Sequence, residues 1–179
     1  MITIISGTNR TNSRTRLVAN HYLEVFQKLT DQPVELLGLE DVPVDMLSAS
    51  MYSESGQSDS LKAIQDKYLL PAQKYFILSP EYNGSIAGIL KLFIDAVSVR
   101  EYKATFKGKK AGLAGVGSGR AGNLRGMDHL SAVLHHVGTD VMPLKLPISQ
   151  IETLLENDKI VDEGTLTSIE NQVKAFLEY

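Results

Sequence analysis

The chain has 179 residues, of which 43% are hydrophobic and 22% charged, and its formal net charge is −3. These values suit one globular domain, residues 1–179, and leave no electrostatic footprint for nucleic-acid binding. With no cysteine, a disulfide scaffold, a cysteine-ligated metal and thiol catalysis are all excluded.

Ile2–Ser6 is a mainly apolar run stopped by Gly7, and it reads as a buried strand. From Arg14 to about Lys28, Val18, Tyr22, Val25 and Leu29 recur at helical spacing and make one apolar face. Val34–Leu37 is a short strand closed by Gly38, and the serine-rich Ser48–Ser60 is a surface loop. Leu61, Ile64 and Tyr68 mark a second helix, with Asp59 as its cap. Tyr75–Leu78 is a third strand, ended by Ser79-Pro80. A helix over Ile86–Val99 carries Ile89, Leu90, Phe93, Ile94 and Val97 on its apolar side. Lys110–Val116 is a fourth strand, and Leu124–Val137 a helix with Leu130, Leu134 and Val137 aligned. Asp140–Met142 is a short fifth strand before Pro143, and Leu166, Ile169, Val173 and Phe176 form a last helical face. No stretch approaches the ~18 apolar residues of a membrane span and no basic, apolar leader is visible. A cytoplasmic protein with no membrane partner is the expectation.

Strands alternating with helices imply an α/β fold, with a parallel sheet and helices on both faces. Five strands fit the doubly wound, flavodoxin-like order 2-1-3-4-5, in which a ligand sits at the carboxyl ends of the strands near the switch point. The exits of strands 1, 3 and 4 should therefore meet. They are also the unusual segments of the chain: Gly7–Thr15, Ser79–Ser85 and the glycine-rich Gly115–Arg125.

The first exit joins a strand to a helix N-terminus, where free N–H groups and the helix dipole favour an anion. Thr8, Ser13 and Thr15 add hydroxyls, and Arg10 a charged fork suited to phosphate. Neither the Gly-x-x-x-x-Gly-Lys spacing of a P-loop nor the Gly-x-Gly-x-x-Gly of a dinucleotide fold is present. A hydroxyl-lined loop suits a mononucleotide such as FMN, while a polar helix cap with solvated arginines explains the same residues. In the second exit, Pro80 stiffens a turn in which Asn83-Gly84 tolerates positive φ. A flat ring lying there would meet backbone polar groups, the Asn83 amide and the Tyr82 ring. A tight turn with Ser85 as helix cap accounts for Asn83 to Ser85, but not for Glu81 and Tyr82 in the same crevice. In the third exit, main-chain amides at Gly117 and Ser118 could face a ring on which negative charge develops. A plain glycine-rich turn is the alternative. Gly117-Ser118-Gly119 is not the nucleophile elbow of a serine hydrolase. His135-His136 lacks zinc spacing and reads as one buried and one exposed residue.

The first two motifs resemble the NAD(P)H-dependent FMN reductase family, which includes quinone, chromate and azo-dye reductases. Its first loop, Gly-Ser-x-Arg-x-x-Ser-x-Asn-Arg, is met by Gly7, Thr8, Arg10, Ser13, Thr15 and Arg16, with Thr8 for Ser and Thr15 for Asn. Its second, Pro-Glu-Tyr-Asn-x-Ser-x-Pro-Gly-x-Leu-Lys-x-x-x-Asp, is met by Pro80, Glu81, Tyr82, Asn83, Ser85, Gly88, Leu90, Lys91 and Asp95, with Ala87 for the proline. Where the family has Ser and Gly-Gly in the third loop, this chain has Gly117 and Gly122-Asn123. The resemblance implies noncovalently bound FMN, with Thr8, Arg10, Ser13 and Thr15 on its phosphate and Pro80, Glu81, Tyr82 and Asn83 along its ring. It implies NADPH or NADH as co-substrate, a small electron acceptor, and a homo-oligomer, either dimer or tetramer.

The cofactor would carry the chemistry, so no catalytic side chain is named. With one flavin face covered, nicotinamide and acceptor must take turns on the other, which implies ping-pong kinetics. An electron carrier of the flavodoxin type is the alternative, although such carriers tend to be more acidic. Tyr82, Tyr102 and Phe106 are expected in or near loops, where exposed aromatics would mark a subunit interface; a flavin-facing or core role is equally open. The basic run Arg100, Lys103, Lys107, Lys109 and Lys110 reads as a solvated face, or as a seat for an NADPH phosphate.

Overall fold

The computed structural model describes residues 1–43 and 48–179. In chain order the elements are β1 (Ile2–Ser6), α1 (Arg14–Leu29), β2 (Val34–Gly38), α2 (Asp59–Ile64) and β3 (Lys74–Pro80). There follow α3 (Gly88–Ala96), α4 (Tyr102–Phe106), β4 (Lys110–Val116), α5 (Leu124–Val137), β5 (Asp140–Val141), β6 (Leu146–Ile148), the hairpin β7 (Leu155–Glu156) and β8 (Lys159–Ile160), and α6 (Glu163–Glu178).

The main sheet is parallel, in the order β2-β1-β3-β4-β5, as the alternation of elements requires. Its edge differs from the expected single fifth strand. β5 pairs only with Lys110 and Ala111 at the foot of β4, and β6 pairs with Ala114 to Val116 at its head. Pro143 follows the last ladder bond, which the Met142 N–H donates to the Ala111 carbonyl, and Pro147 inside β6 is tolerated because an edge strand need not donate outward. The β7–β8 hairpin turns at Asn157 and Asp158, both at positive φ (48° and 60°), as a two-residue type I′ connection needs.

Alternate residues of each central strand feed opposite faces. Phe76 and Leu78 of β3 pack with Tyr22 and Phe26 of α1 and Phe176 of α6. Their neighbours Tyr75 and Ile77 pack with Phe93 and Leu90 of α3 and Leu134 of α5. Phe76 lies at the centre of the first face, its ring 4.6 Å from that of Tyr22 and 5.3 Å from both phenylalanines. The two phenylalanine pairs are edge-on, a geometry that adds about 0.5–1.5 kcal/mol per pair beyond area burial, and the Tyr22 pair is tilted.

Several local expectations are corrected. Ser58, not Asp59, caps α2, its hydroxyl accepting from the Leu61 N–H at 3.2 Å. α3 begins at Gly88 rather than Ile86, with Ala87 as an extended N-cap and no side-chain cap from Ser85. His135 and His136 are both exposed, because the buried face of α5 is Leu130, Leu134 and Val137. Of the roles open to the loop aromatics, Phe106 and Tyr102 take the core one: Phe106 is buried and Tyr102 packs against the core. Among the described residues no helix is long and apolar enough to cross a membrane.

Candidate functional site

The three strand exits converge at the carboxyl edge of the sheet. A cleft of about 520 Å³ there is lined by Thr8, Arg10, Ser13, Thr15, Pro80, Glu81, Tyr82, Gly117 and Ser118, together with Arg14 and Glu152. Asn83 does not line it. Its role is in the turn: Asn83 and Gly84 both take positive φ (49° and 77°). Tyr82 and Ser85 exchange main-chain hydrogen bonds of 3.0 and 2.9 Å across them.

The first loop is held by a main-chain bond from Gly7 N–H to the Leu78 carbonyl (2.8 Å) and by a bond from Arg10 N–H to the side-chain oxygen Thr8 Oγ1 (3.2 Å). Ser13 caps α1, its hydroxyl accepting from the Arg16 N–H at 3.1 Å. Thr8, Ser13 and Thr15 are buried, and the first turn of α1 carries no acidic residue. The arginines divide. Arg14, in the cleft lining, closes on Glu152 (3.0 Å) and Asp158 (2.8 Å), while Arg16 closes on Glu40 (2.7 Å) outside that lining. Arg10 is exposed and makes no ion pair among the described residues.

In the second loop Glu81 serves the backbone: its Oε1 accepts from the Gly84 N–H at 2.6 Å, which neutralises no charge but pins the turn. Ser85 Oγ lies 2.8 Å from His129 Nδ1 on α5. The third loop corrects one expectation. The Gly117 N–H donates to the Ile148 carbonyl (3.0 Å) and is therefore spent on β6. The N–H groups of Ser118 to Asn123 make no hydrogen bond to the protein among the described residues, so the available donors begin at Ser118.

Asn123 is the residue that sequence reading missed. It is 2% exposed and sits at φ 64° just before α5. Its Nδ2 donates to the Ser79 carbonyl (3.0 Å), Ser79 Oγ (3.2 Å) and the Pro80 carbonyl (2.8 Å). One buried amide thus ties the third loop to the second. The loop also folds back on its own strand: a Cβ on Gly115 would meet the Gly122 carbonyl oxygen at 2.1 Å, so only glycine admits that approach. The signal available in the sequence was an asparagine next to Gly122, a residue type that tolerates left-handed backbone. Its long-range partners were not legible.

Two members of the basic run after α3 are committed to the protein itself. Arg100 pairs with Asp66 at 2.7 Å, and Lys109 is buried with Nζ on the Leu69 carbonyl and Tyr75 hydroxyl. Burial lowers the Lys109 ammonium from its ordinary value to about 8.

The donor set fits FMN. Buried hydroxyls, an unpaired guanidinium and an acid-free helix N-terminus meet at one end of the cleft, and a rigid turn forms its wall. The profile of the NADPH-dependent FMN reductase family matches residues 1–153. The chain belongs to that family. Among family relatives, an NAD(P)H-dependent FMN reductase of Pseudomonas aeruginosa is 35% identical over 58% of this chain, and the match spans only 57% of that protein's length. An FMN-dependent NADPH-azoreductase of Staphylococcus saprophyticus is 29% identical, covering 97% of this chain and 88% of that protein. Among solved structures, the flavoenzyme NAD(P)H:(acceptor) oxidoreductase FerB from Paracoccus denitrificans shares the fold with a TM-score of 0.73 at 24% identity, covering 99% of this chain and 95% of that one. The sheet order of the chain is flavodoxin-like, and the segments Gly7–Arg16 and Pro80–Asp95 both lie within the residues the family profile matches.

Proposed function

We propose that the chain is an FMN-dependent NAD(P)H oxidoreductase that delivers electrons to a small acceptor such as a quinone, an azo compound, free flavin or a metal oxyanion. The observation that carries this reading is the cleft that joins the acid-free start of α1 to the Pro80–Tyr82 wall, in a chain of the FMN reductase family. FMN bound there would supply the redox chemistry, taking a hydride from reduced nicotinamide and later yielding two electrons. Thr8, Arg10, Ser13 and Thr15 would hold the phosphate. Pro80, Glu81 and Tyr82 would wall one side of the ring, with Asn83 holding the left-handed turn that shapes the wall. Gly117 and Ser118 would border the ring's pyrimidine end, with the Ser118 N–H as donor.

No side chain need act as acid, base or nucleophile. Both substrates would use the open side of the cleft in alternation, so double-reciprocal plots at several acceptor concentrations should be parallel. Intersecting lines, with a ternary complex detected, would require separate pockets. The protein is further proposed to be a homodimer or tetramer, and a monomeric mass by light scattering with FMN bound would count against that. The primary test is the absorption spectrum of the purified protein, followed by anaerobic titration with NADH and NADPH. A flavin spectrum bleached by either nucleotide without added reductase is expected. A flavin that bleaches only with an added reductase would point to an electron carrier.

A further inference from the structure

A second cleft of about 510 Å³ adjoins the first and shares Glu81 and Gly117 with it. It is lined by the loop segment Gly119 to Asn123 together with Leu124 and Arg125. The chain has six arginines. Arg14, Arg16 and Arg100 each close on a carboxylate. Arg10, Arg120 and Arg125 close on none among the described residues, and these three line the two adjoining clefts.

The carboxylates of the second cleft are already engaged. Glu81 accepts from the Gly84 N–H at 2.6 Å, and Asp128 pairs with Lys145 at 2.7 Å, which holds its acid below the usual carboxylate range. Arg125 stands beside the second loop: a Cβ on Gly84 would lie 3.2 Å from its Nη1. The N–H groups of Gly119 to Asn123, which line this cleft, make no hydrogen bond to the protein among the described residues. Two guanidinium forks without a carboxylate partner and main-chain amides without an acceptor, lining one cleft, are the donor types that receive phosphate oxygens.

We propose that the Arg120–Arg125 cleft receives a phosphate group of the nicotinamide dinucleotide while its ring lies in the neighbouring cleft. This inference rests on the FMN-dependent reading above. Phosphate reaches such a site either from the pyrophosphate, common to NADH and NADPH, or from the 2′-phosphate of NADPH alone.

The test uses the FMN-loaded protein and measures equilibrium binding of NADP⁺, NAD⁺ and 2′,5′-ADP by calorimetry. Arg120→Gln and Arg125→Gln are compared with the parent, with FMN retention read from the flavin spectrum first. Losing one charge-assisted contact should weaken NADP⁺ binding about tenfold or more in each variant, with the flavin spectrum unchanged. Equal weakening for NAD⁺ assigns the pyrophosphate. Weakening for NADP⁺ and 2′,5′-ADP alone assigns the 2′-phosphate. Arg120→Lys and Arg125→Lys, which keep the charge, should recover part of the affinity. Unchanged NADP⁺ and NAD⁺ affinities in both glutamine variants would overturn the proposal. A parent protein that takes up no FMN fails at the spectrum, before any nucleotide is added, and that result strikes the underlying reading instead.

Discussion

The two edges of the sheet both carry cations, and they use them differently. At the amino edge, Lys74 Nζ donates to the Phe176 and Leu177 carbonyls, each at 3.0 Å, and Lys110 Nζ to the main-chain oxygen of Tyr179. These lysines close the C-terminal carbonyls of α6, where the helix dipole favours positive charge. Lys109 caps the Leu69 carbonyl at the end of a single π-helical turn, Gln65–Leu69. At the carboxyl edge, Arg10, Arg120 and Arg125 find no carboxylate among the described residues and point into clefts instead. A cation whose partners are the protein's own carbonyls is structural. One left without a partner beside free N–H groups is set for an anion from outside. The cations are lysines at the amino edge and arginines at the carboxyl edge; both carry one positive charge, so it is the partner each finds, not the charge, that separates their roles.

The largest effect that would test this contrast is on FMN affinity. Arg10→Ala removes an unpaired guanidinium at the phosphate end and should weaken FMN binding by about 1.5–3 kcal/mol, or roughly 10- to 150-fold. Lys110→Ala, at the opposite edge, should leave the FMN dissociation constant within about twofold, since the charge lies far from the cleft and is screened. Equal losses in the two variants, measured by fluorescence titration of the apoprotein, would erase the distinction between the edges.

A smaller effect is expected from Asn123, which belongs to the carboxyl edge yet acts structurally. Asn123→Gly keeps the backbone at φ 64° and removes only the amide that ties Ser79 and Pro80 to the third loop. Loss of these buried bonds should cost about 1–3 kcal/mol, a fall in Tm of roughly 2–12 °C for a chain of this size. If the amide also positions the wall of the cleft, FMN affinity falls with it. An unchanged Tm and unchanged FMN affinity would show that the second and third loops hold together without it.

The sequence carried the strand order, the three exits and most of the cleft lining, because each depends on local pattern: apolar runs, helical spacing, and turn residues at strand ends. Two kinds of feature escaped it. One is the divided edge, where β5 and β6 share β4. The β6 segment Leu146–Ile148 is three residues long with a central proline, too short for any period to register. The other is pairing at long range. Nothing in the local sequence distinguishes Arg14, closed on Glu152 138 residues away, from Arg10, which is free. Lys109 sits in a run of cations that reads as solvated, yet the fold buries it under Tyr75.

That burial gives the smallest of the expected effects, and its sign is fixed. Lys109 is 8% exposed, and burial lowers its folded pKa to about 8 from 10.5. The facing Tyr75 hydroxyl is pushed up by its own burial, so it stays neutral across this range. Below pH 8 both folded and unfolded chains hold the Lys109 proton, and the cost of burying the charge is present in full. Between about pH 8 and 10.5 the folded chain has released that proton while the unfolded chain still holds it, so this group's contribution to stability rises with pH. Lys109→Met cannot titrate. The Tm of the parent minus that of the variant should therefore grow from pH 7.5 to 9.5, by about 2 °C once solvent relaxation around a lysine is allowed for. The difference is what matters, because other groups contribute to both curves. A flat difference would mean that Lys109 keeps its charge in the folded state. It would then be an ion tolerated at the amino edge despite its carbonyl partners, and the proposed division of the cations by their partners would lose its clearest structural member.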